Sequence, residues 1–212
     1  MIAAGGWRGA LVIRDPRDVV VSGAHYHARS NEPWLHRPRD AFGGRTYQEA
    51  LLALPDMEAR LVFELRQTGG RTIAEMLAAR ERYPGFAMVR FEDLVTDHEL
   101  KAFRALFAHL GFPEAAMDRL LAVAERNSVF SGRVKPSLHV RSARPAQWRS
   151  EFTPAVLQAV MQRFPDAPER LGYRPSAPAL LVGGGEGPDA VPPGGAARGA
   201  PASAGHGLDV RR

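Results

Sequence analysis

The sequence predicts an α/β domain with a short parallel sheet covered by helices. Two apolar segments have the length and composition of buried strands, GALVI at 9–13 and GFAMVRF at 85–91. Segments with helix caps and helical periodicity lie between and after them. Each strand ends in charged residues, and the carboxyl ends of parallel strands are where ligands bind in such folds.

The first predicted strand leads into a predicted helix from Pro16 to about Ala28. Proline suits the first helical position, Asp15 can cap the helix, and Asp18 lies in its first turn. A β-hairpin is the alternative, because residues 19–21 are three consecutive valines that could form a returning strand.

The rest of the chain up to residue 175 is predicted to be mostly helical. Residues 31–46 are expected to form a loop, and residues 47–67 to form two helices broken before Pro55. Gly69 and Gly70 are expected to interrupt the helical pattern before it resumes at residue 71. Further helices are predicted at 98–110, at 113–126 and from Pro154, capped by Thr153, to about Arg163, with a loop at 131–150.

The composition bounds the class of protein. The 212 residues carry a formal charge of +5, and Lys101 and Lys135 are the only lysines, so nearly all cationic side chains are arginine. Arginine suits two-pronged contact with phosphate or sulfate, although coding bias also explains its abundance. There is no cysteine, which excludes disulfides and thiolate metal sites.

Domain organisation and location follow from the same composition. Residues 176–212 are mostly Ala, Gly and Pro and are predicted to be disordered, which leaves residues 1–175 as the globular domain. No apolar run approaches the roughly 20 residues that span a bilayer, and the first residues lack the pattern of a signal peptide. We therefore expect a soluble, cytoplasmic protein without a membrane span.

The charged turn after the first strand is the strongest candidate for a ligand site. Arg14 at the end of the strand and Ser22 on the following helix are eight residues apart and could both face an anion at the edge of the sheet. Arg17 and Asp18 are expected to adjust the helix end rather than touch a ligand. The alternative is a salt-bridge cluster of four charged residues at the surface, which are Arg14, Asp15, Arg17 and Asp18.

The run from Arg14 to Ser22, RDPRDVVVS, resembles the 3′-phosphate-binding motif of the sulfotransferases, which use 3′-phosphoadenosine 5′-phosphosulfate (PAPS) as sulfuryl donor. In that family an Arg-x-Pro-(Lys/Arg)-Asp sequence ends a strand, and a serine follows eight residues after the arginine. The resemblance implies that Arg14 and Ser22 bind the 3′-phosphate of the nucleotide.

Three further segments resemble the family in the same order. RFEDLVTD at 90–97 is similar to a Tyr-Glu-Asp-Leu segment whose aromatic residue borders the adenine, and Phe91 takes that position here without the hydroxyl. The chain at 171–175, LGYRP, is similar to a sequence that commonly ends the domain.

The segment between these two, at 141–153, resembles an Arg-Lys-Gly-x-x-Gly-x-Trp-Lys loop that closes over the 3′-phosphate. Arg141 and Trp148 match this pattern, and the resemblance implies that Arg141 is a phosphate ligand. Ser142 and Ala143 replace Lys and Gly, and Ala146 replaces the second Gly. We include Ser142 and Ala143 among the candidate nucleotide-binding residues.

The resemblance implies a three-layer fold like that of P-loop NTPases and transfer of a sulfuryl group from PAPS to an acceptor hydroxyl or amine. The family's Lys-containing phosphosulfate loop and its upstream histidine base are not in this sequence, so we assign no catalytic residue and no metal. We expect the chain to be the C-terminal part of a sulfotransferase, without the first strand and P-loop, acting on a small-molecule or carbohydrate acceptor and not on nucleic acid. Two alternatives stay open, a degenerate paralogue that keeps nucleotide affinity and an anion-binding module for sulfated glycans or nucleic acid.

Overall fold

The computed structural model describes residues 8–133 and 142–173, and within them the architecture is mixed α/β and mostly helical. The two strands of these ranges, β1 (Gly9–Ile13) and β2 (Phe86–Arg90), pair in parallel. Gly9 is opposite Phe86 and Ile13 is opposite Arg90, so both carboxyl ends lie at one edge of the sheet. The predicted strands and their parallel orientation are confirmed.

Helices make up most of the described chain. The α-helices are α1 (Pro16–His27), α2 (Tyr47–Leu52), α3 (Met57–Arg66), α4 (Thr68–Arg82), α5 (Phe91–Val95), α6 (Lys101–His109), α7 (Met117–Asn127), α8 (Trp148–Glu151), α9 (Pro154–Arg163) and α10 (Ala167–Arg170). Short 3₁₀ helices cover Pro33–His36, Asp40–Phe42, Glu114–Ala116 and Val129–Ser131.

Two helices begin at the caps that the sequence predicts. The Asp15 side chain accepts a hydrogen bond from the Arg17 backbone N–H at 2.9 Å and so caps α1. The Thr153 hydroxyl does the same for α9, accepting from the Val156 N–H at 3.3 Å. The hairpin alternative is wrong, because residues 19–21 lie inside α1.

The predicted interruption at Gly69 and Gly70 is wrong, because both glycines lie inside α4. The break between α3 and α4 falls at Gln67, whose φ is −110° and ψ is −120°. A Cβ on Gly70 would lie 2.0 Å from the Leu65 carbonyl oxygen. These glycines therefore allow the end of α3 to approach the start of α4 closely, which is a packing role that a helix-breaking interpretation misses.

Two short helices occupy segments that the sequence analysis left as strand end and loop. The first, α5, begins directly after β2, with Glu92 and Asp93 in its first turn, where acidic side chains stabilise the helix dipole. The second, α8, lies at the end of the predicted 131–150 loop, and its first backbone N–H is held by a side chain of α1. Neither helix has a local sequence signal as strong as the caps of α1 and α9.

The hydrophobic core lies between α1, α3, α4 and α9. Its buried residues are Val20, Val21, Ala24, Leu61, Leu65, Ile73, Trp148, Val156, Val160 and Ala167. By contrast, α6 has no buried residue and α7 has only Met117. Val20, Val21 and Ala24 anchor α1 in this core. The core thus fixes the helix that follows the charged turn.

A buried carboxylate joins α1 to α3. Glu64 is 0% exposed, and its Oε2 accepts from the Tyr47 hydroxyl at 2.8 Å and lies 3.0 Å from His27 Nδ1. Burial, followed by the nearby Glu64 charge, raises the pKa of Tyr47, so the phenol stays protonated. The other oxygen, Oε1, lies against Gly23, where a Cβ would be only 2.5 Å away.

Within these ranges each helix is too short or too polar to cross a membrane. The predicted disordered segment at 176–212 lies outside the described residues. The division of the chain into residues 1–175 and 176–212 stays a prediction.

Candidate anion-binding site

Arg14 lies at the carboxyl edge of the sheet, one residue after β1. Phe91 is one residue after β2, and the parallel register brings the two side chains together, with the Arg14 guanidinium carbon 4.8 Å from the Phe91 ring centroid. Arg14 is half-buried, and its Nε is buried without a hydrogen-bond partner. In the chain as far as the structure describes it, Arg14 makes no hydrogen bond or ion pair, so its donors are not used by other side chains.

Ser22 lies on the face of α1 that meets α8. Asp18 and His25 share that face, because they precede and follow Ser22 by four and three residues. The Asp18 Oδ1 accepts from the Trp148 N–H at 2.9 Å, and His25 Nε2 lies 2.5 Å from Glu151 Oε2. The half-buried Ser22 hydroxyl therefore lies between two contacts that join α1 to α8.

Asp18 connects this face of α1 with Arg14. Burial raises the pKa of Asp18, whereas the Trp148 amide and then the Arg14 charge act in the opposite direction. The Arg14 charge therefore acts on a carboxylate that shares a helix face with Ser22, and the pairing of Arg14 with Ser22 stays a prediction.

The Asp15–Arg17 pair is buried rather than exposed. Arg17 makes two hydrogen bonds to the Asp15 carboxylate, at 2.8 Å from Nε and 2.6 Å from Nη2, and both residues are less than 9% exposed. The guanidinium of Arg17 also stacks on the Trp148 ring, 4.0 Å from its centroid. The alternative of a surface salt-bridge cluster is therefore wrong, and Arg17 does more than adjust the helix end.

Glu92 holds the turn that carries Arg14. Its Oε1 accepts from the Asp15 backbone N–H at 3.0 Å, and its Oε2 accepts from the Tyr173 hydroxyl at 2.5 Å. Burial and then this hydrogen bond raise the pKa of Tyr173, so the phenol remains a donor. Tyr173, in the segment that resembles the end of the sulfotransferase domain, is thus connected to the edge of the sheet.

The candidate loop residues Ser142 and Ala143 precede α8, and Arg141 lies outside the described residues. The Ser142 Oγ is 3.5 Å from the Arg144 backbone N, which makes at most a weak hydrogen bond. Ala143 has a φ of 49° and Ala146 a φ of 59°, both in the left-handed region that favours glycine. The alanines therefore adopt a backbone that the two glycines of the resembled motif would adopt with less strain.

Arg14 has a guanidinium whose buried Nε lacks a hydrogen-bond partner among the described residues, and Ser22 has a hydroxyl, and both groups can donate hydrogen bonds to an anion. In the portion of the chain with described coordinates, no group of three His, Asp or Glu side chains is placed to hold a metal ion. Lys101 is exposed and pairs with Glu99, and Lys135 lies outside the described residues.

Comparisons of the chain with protein-family models, with curated proteins and with solved structures found no match. The interpretation of the site therefore depends on its own residues and on their geometry.

Proposed function

We propose that this site binds the 3′-phosphate of PAPS and that the chain is a sulfotransferase, or part of one. The proposed reaction transfers the sulfuryl group to a hydroxyl or amine of a small-molecule or carbohydrate acceptor. In this proposal Arg14 and Ser22 bind the 3′-phosphate, the loop at 141–143 covers it, and Phe91 packs beside the adenine.

The single observation that carries the proposal is the environment of Arg14. A half-buried guanidinium loses part of its hydration, and a buried charge is costly unless another group pairs with it. Arg14 rests on the Phe91 ring, and no hydrogen bond to its buried Nε is present among the described residues. The Arg14 charge acts on the Asp18 carboxylate, and an anionic ligand at the edge of the sheet would supply the hydrogen-bond acceptor that Nε lacks.

The arrangement of the elements supports the same proposal. The protein has a parallel strand pair with a charged turn after the first strand, followed by a capped helix, and α/β proteins often bind phosphates at such a turn. We propose further that the described elements belong to a three-layer fold like that of P-loop NTPases. The first strand and the phosphosulfate loop of that fold are not in this sequence.

The proposed contribution of these residues is to position the donor rather than to activate the acceptor. Stabilising charge on the leaving phosphate oxygen requires a cation at the 5′ end of the nucleotide. Lys101 pairs with Glu99 at the surface, and no residue of the described ranges is assigned to that role. This observation favours a second candidate function, a nucleotide-binding module that does not itself transfer sulfate.

Calorimetric titration of the full chain with adenosine 3′,5′-bisphosphate and with 5′-AMP tests the proposed phosphate site. We expect tighter binding of the bisphosphate, and we expect Arg14→Ala to weaken it by about ten- to a hundredfold, since a hydrogen bond to a charged group contributes about 1.5–3 kcal/mol. Arg71→Ala is the matched control, because Arg71 is exposed and pairs with Glu75 on its own helix, α4. Its affinity should equal that of the unchanged protein.

Equal affinity for the two nucleotides would refute the 3′-phosphate site. Binding of heparin with strong salt dependence, together with no nucleotide binding, would identify an anion-binding module instead. Transfer of labelled sulfate from PAPS to a panel of phenols, amines and sugars separates the two candidate functions once nucleotide binding is established.

A further inference from the structure

Asp18 is a buried carboxylate whose contacts lie far along the chain. It is 0% exposed, and its Oδ1 accepts from the Trp148 backbone N–H, 130 positions away. Its Oδ2 is buried and has no hydrogen-bond partner within the described ranges. Burying a carboxylate is costly unless hydrogen bonds compensate for the lost hydration, and the hydrogen bond that Asp18 makes is to the first residue of α8.

The Trp148 backbone N–H points at the Asp18 carboxylate. Both the Trp148 and the Ala146 amides act on the Asp18 carboxylate and oppose the effect of burial on its pKa. Ala146, two residues before Trp148, has a φ of 59° in the left-handed region, so the chain turns sharply just before the amide that Asp18 binds. Asp18 thus satisfies the first N–H of α8 in the way that a capping residue would, but from another helix.

The side chains around Trp148 add a second connection between α1 and the loop. Trp148 is 5% exposed, and the guanidinium of Arg17 lies 4.0 Å from its ring centroid, while that of Arg149 lies at 4.7 Å. Arg17 is itself fixed by its two hydrogen bonds to Asp15. The first turn of α1 therefore holds both the backbone and the ring of Trp148.

We infer that Asp18 is a positioning residue of the phosphate site, which seats the loop at 142–147 over the face of α1 that carries Ser22. This inference rests on the proposed function. Asp18 does not touch the ligand, because it has no exposed surface. It acts through the Trp148 amide, and it places Ser142 and Ala143 beside the anion that Arg14 binds.

Two measurements on the full chain test this role, with the Asp18→Asn variant. Asparagine keeps the size of the side chain but removes the negative charge, so its hydrogen bond with the Trp148 amide loses the charge assistance that a carboxylate provides. Hydrogen–deuterium exchange of the ligand-free protein should be faster at the Trp148 amide in the variant. Calorimetry should give about tenfold weaker binding of adenosine 3′,5′-bisphosphate and unchanged binding of 5′-AMP.

Asp56→Asn is the matched control, because Asp56 also accepts from a backbone N–H at a helix start but is exposed and caps its own helix, α3. It should alter neither measurement at the site. If Asp18→Asn does not fold, as judged by circular dichroism, Asp18→Ser keeps one acceptor oxygen and gives the same comparison.

The outcomes separate the inference from the function on which it rests. Unchanged exchange at Trp148 in Asp18→Asn would overturn the anchoring role. Faster exchange with an unchanged preference for the bisphosphate would overturn the positioning role while leaving the phosphate site intact. If the unchanged protein has no preference for the bisphosphate, the proposed function and the inference both fail.

Discussion

Replacing Ala143 and Ala146 by glycine should stabilise the protein. Both residues have positive φ values, 49° and 59°. A left-handed residue other than glycine costs about 1–2 kcal/mol, and the freedom that glycine adds to the unfolded chain offsets about 0.4–1 kcal/mol. Each substitution should therefore raise the free energy of unfolding by about 0.5–1 kcal/mol.

The double variant should gain about 1–2 kcal/mol if the two effects add, which corresponds to roughly 2–8 °C in Tm for a domain of this size. Thermal and urea unfolding followed by circular dichroism measure both quantities. Ala105→Gly is the control, because Ala105 is exposed in the middle of α6, where glycine should cost about 0.5–1 kcal/mol. The opposite signs expected for loop and helix make the comparison decisive.

A loss of stability in both loop variants, equal to that of the Ala105 control, would refute the reasoning. It would mean that residues 143 and 146 do not hold left-handed backbone in solution.

Two more predictions concern the core. Gly70→Ala should destabilise the protein by about 1–3 kcal/mol in urea unfolding, because a Cβ would lie 2.0 Å from the Leu65 carbonyl oxygen. Gly85→Ala is the control and should change the free energy of unfolding little, because a Cβ there would meet no atom within 4 Å. Equal effects would disprove the close approach of α3 and α4. The raised pKa of Tyr47 means that the folded protein holds this proton more tightly than the unfolded chain, so the associated stability is present below pH 10.0 and is lost as the pH rises above it. Tyr47→Phe should weaken the protein at neutral pH but lose less stability than the unchanged protein between about pH 9 and pH 11, and parallel curves would contradict a buried phenol beside Glu64.

Local signals in the sequence predict the start of the fold well. The cap at Asp15, the proline after it and the apolar run before it predict the strand–turn–helix unit that the structure contains. The same holds for Thr153 and α9, where cap and proline are adjacent. These features could be predicted because each depends on residues within four positions of one another.

Features that depend on distant residues could not be predicted in this way. From the local sequence, Gly70 is expected to break a helix. Its place inside α4 is explained by the Leu65 carbonyl oxygen, which leaves no room for a Cβ. Asp18 reads as a first-turn acidic residue, and nothing near it indicates a bond to Trp148. Likewise, Glu64 is one of several charged residues on α3, and its burial beside Tyr47 follows from tertiary packing.

The candidate site likewise contains features that local sequence predicts and features that depend on distant residues. The strand end predicts the place of Arg14, and the helical period predicts that Ser22 shares a face with Asp18. The contact between Arg14 and Phe91 needed the register of the sheet, which pairs Ile13 with Arg90. Sequence reasoning thus found the residues that offer donors and missed those that hold them in place.

The parallel pairing of β1 with β2 has a consequence for the order in which the chain folds. The hydrogen bond between Asp15 and Glu92 closes a loop of 77 positions, whereas α3 and α4 adjoin in sequence. Contacts between distant residues carry a larger closure entropy and form more slowly than local ones. We expect the helical pair to assemble early and the sheet edge to assemble late, so the guanidinium of Arg14 reaches its final place only when the last long-range contacts form.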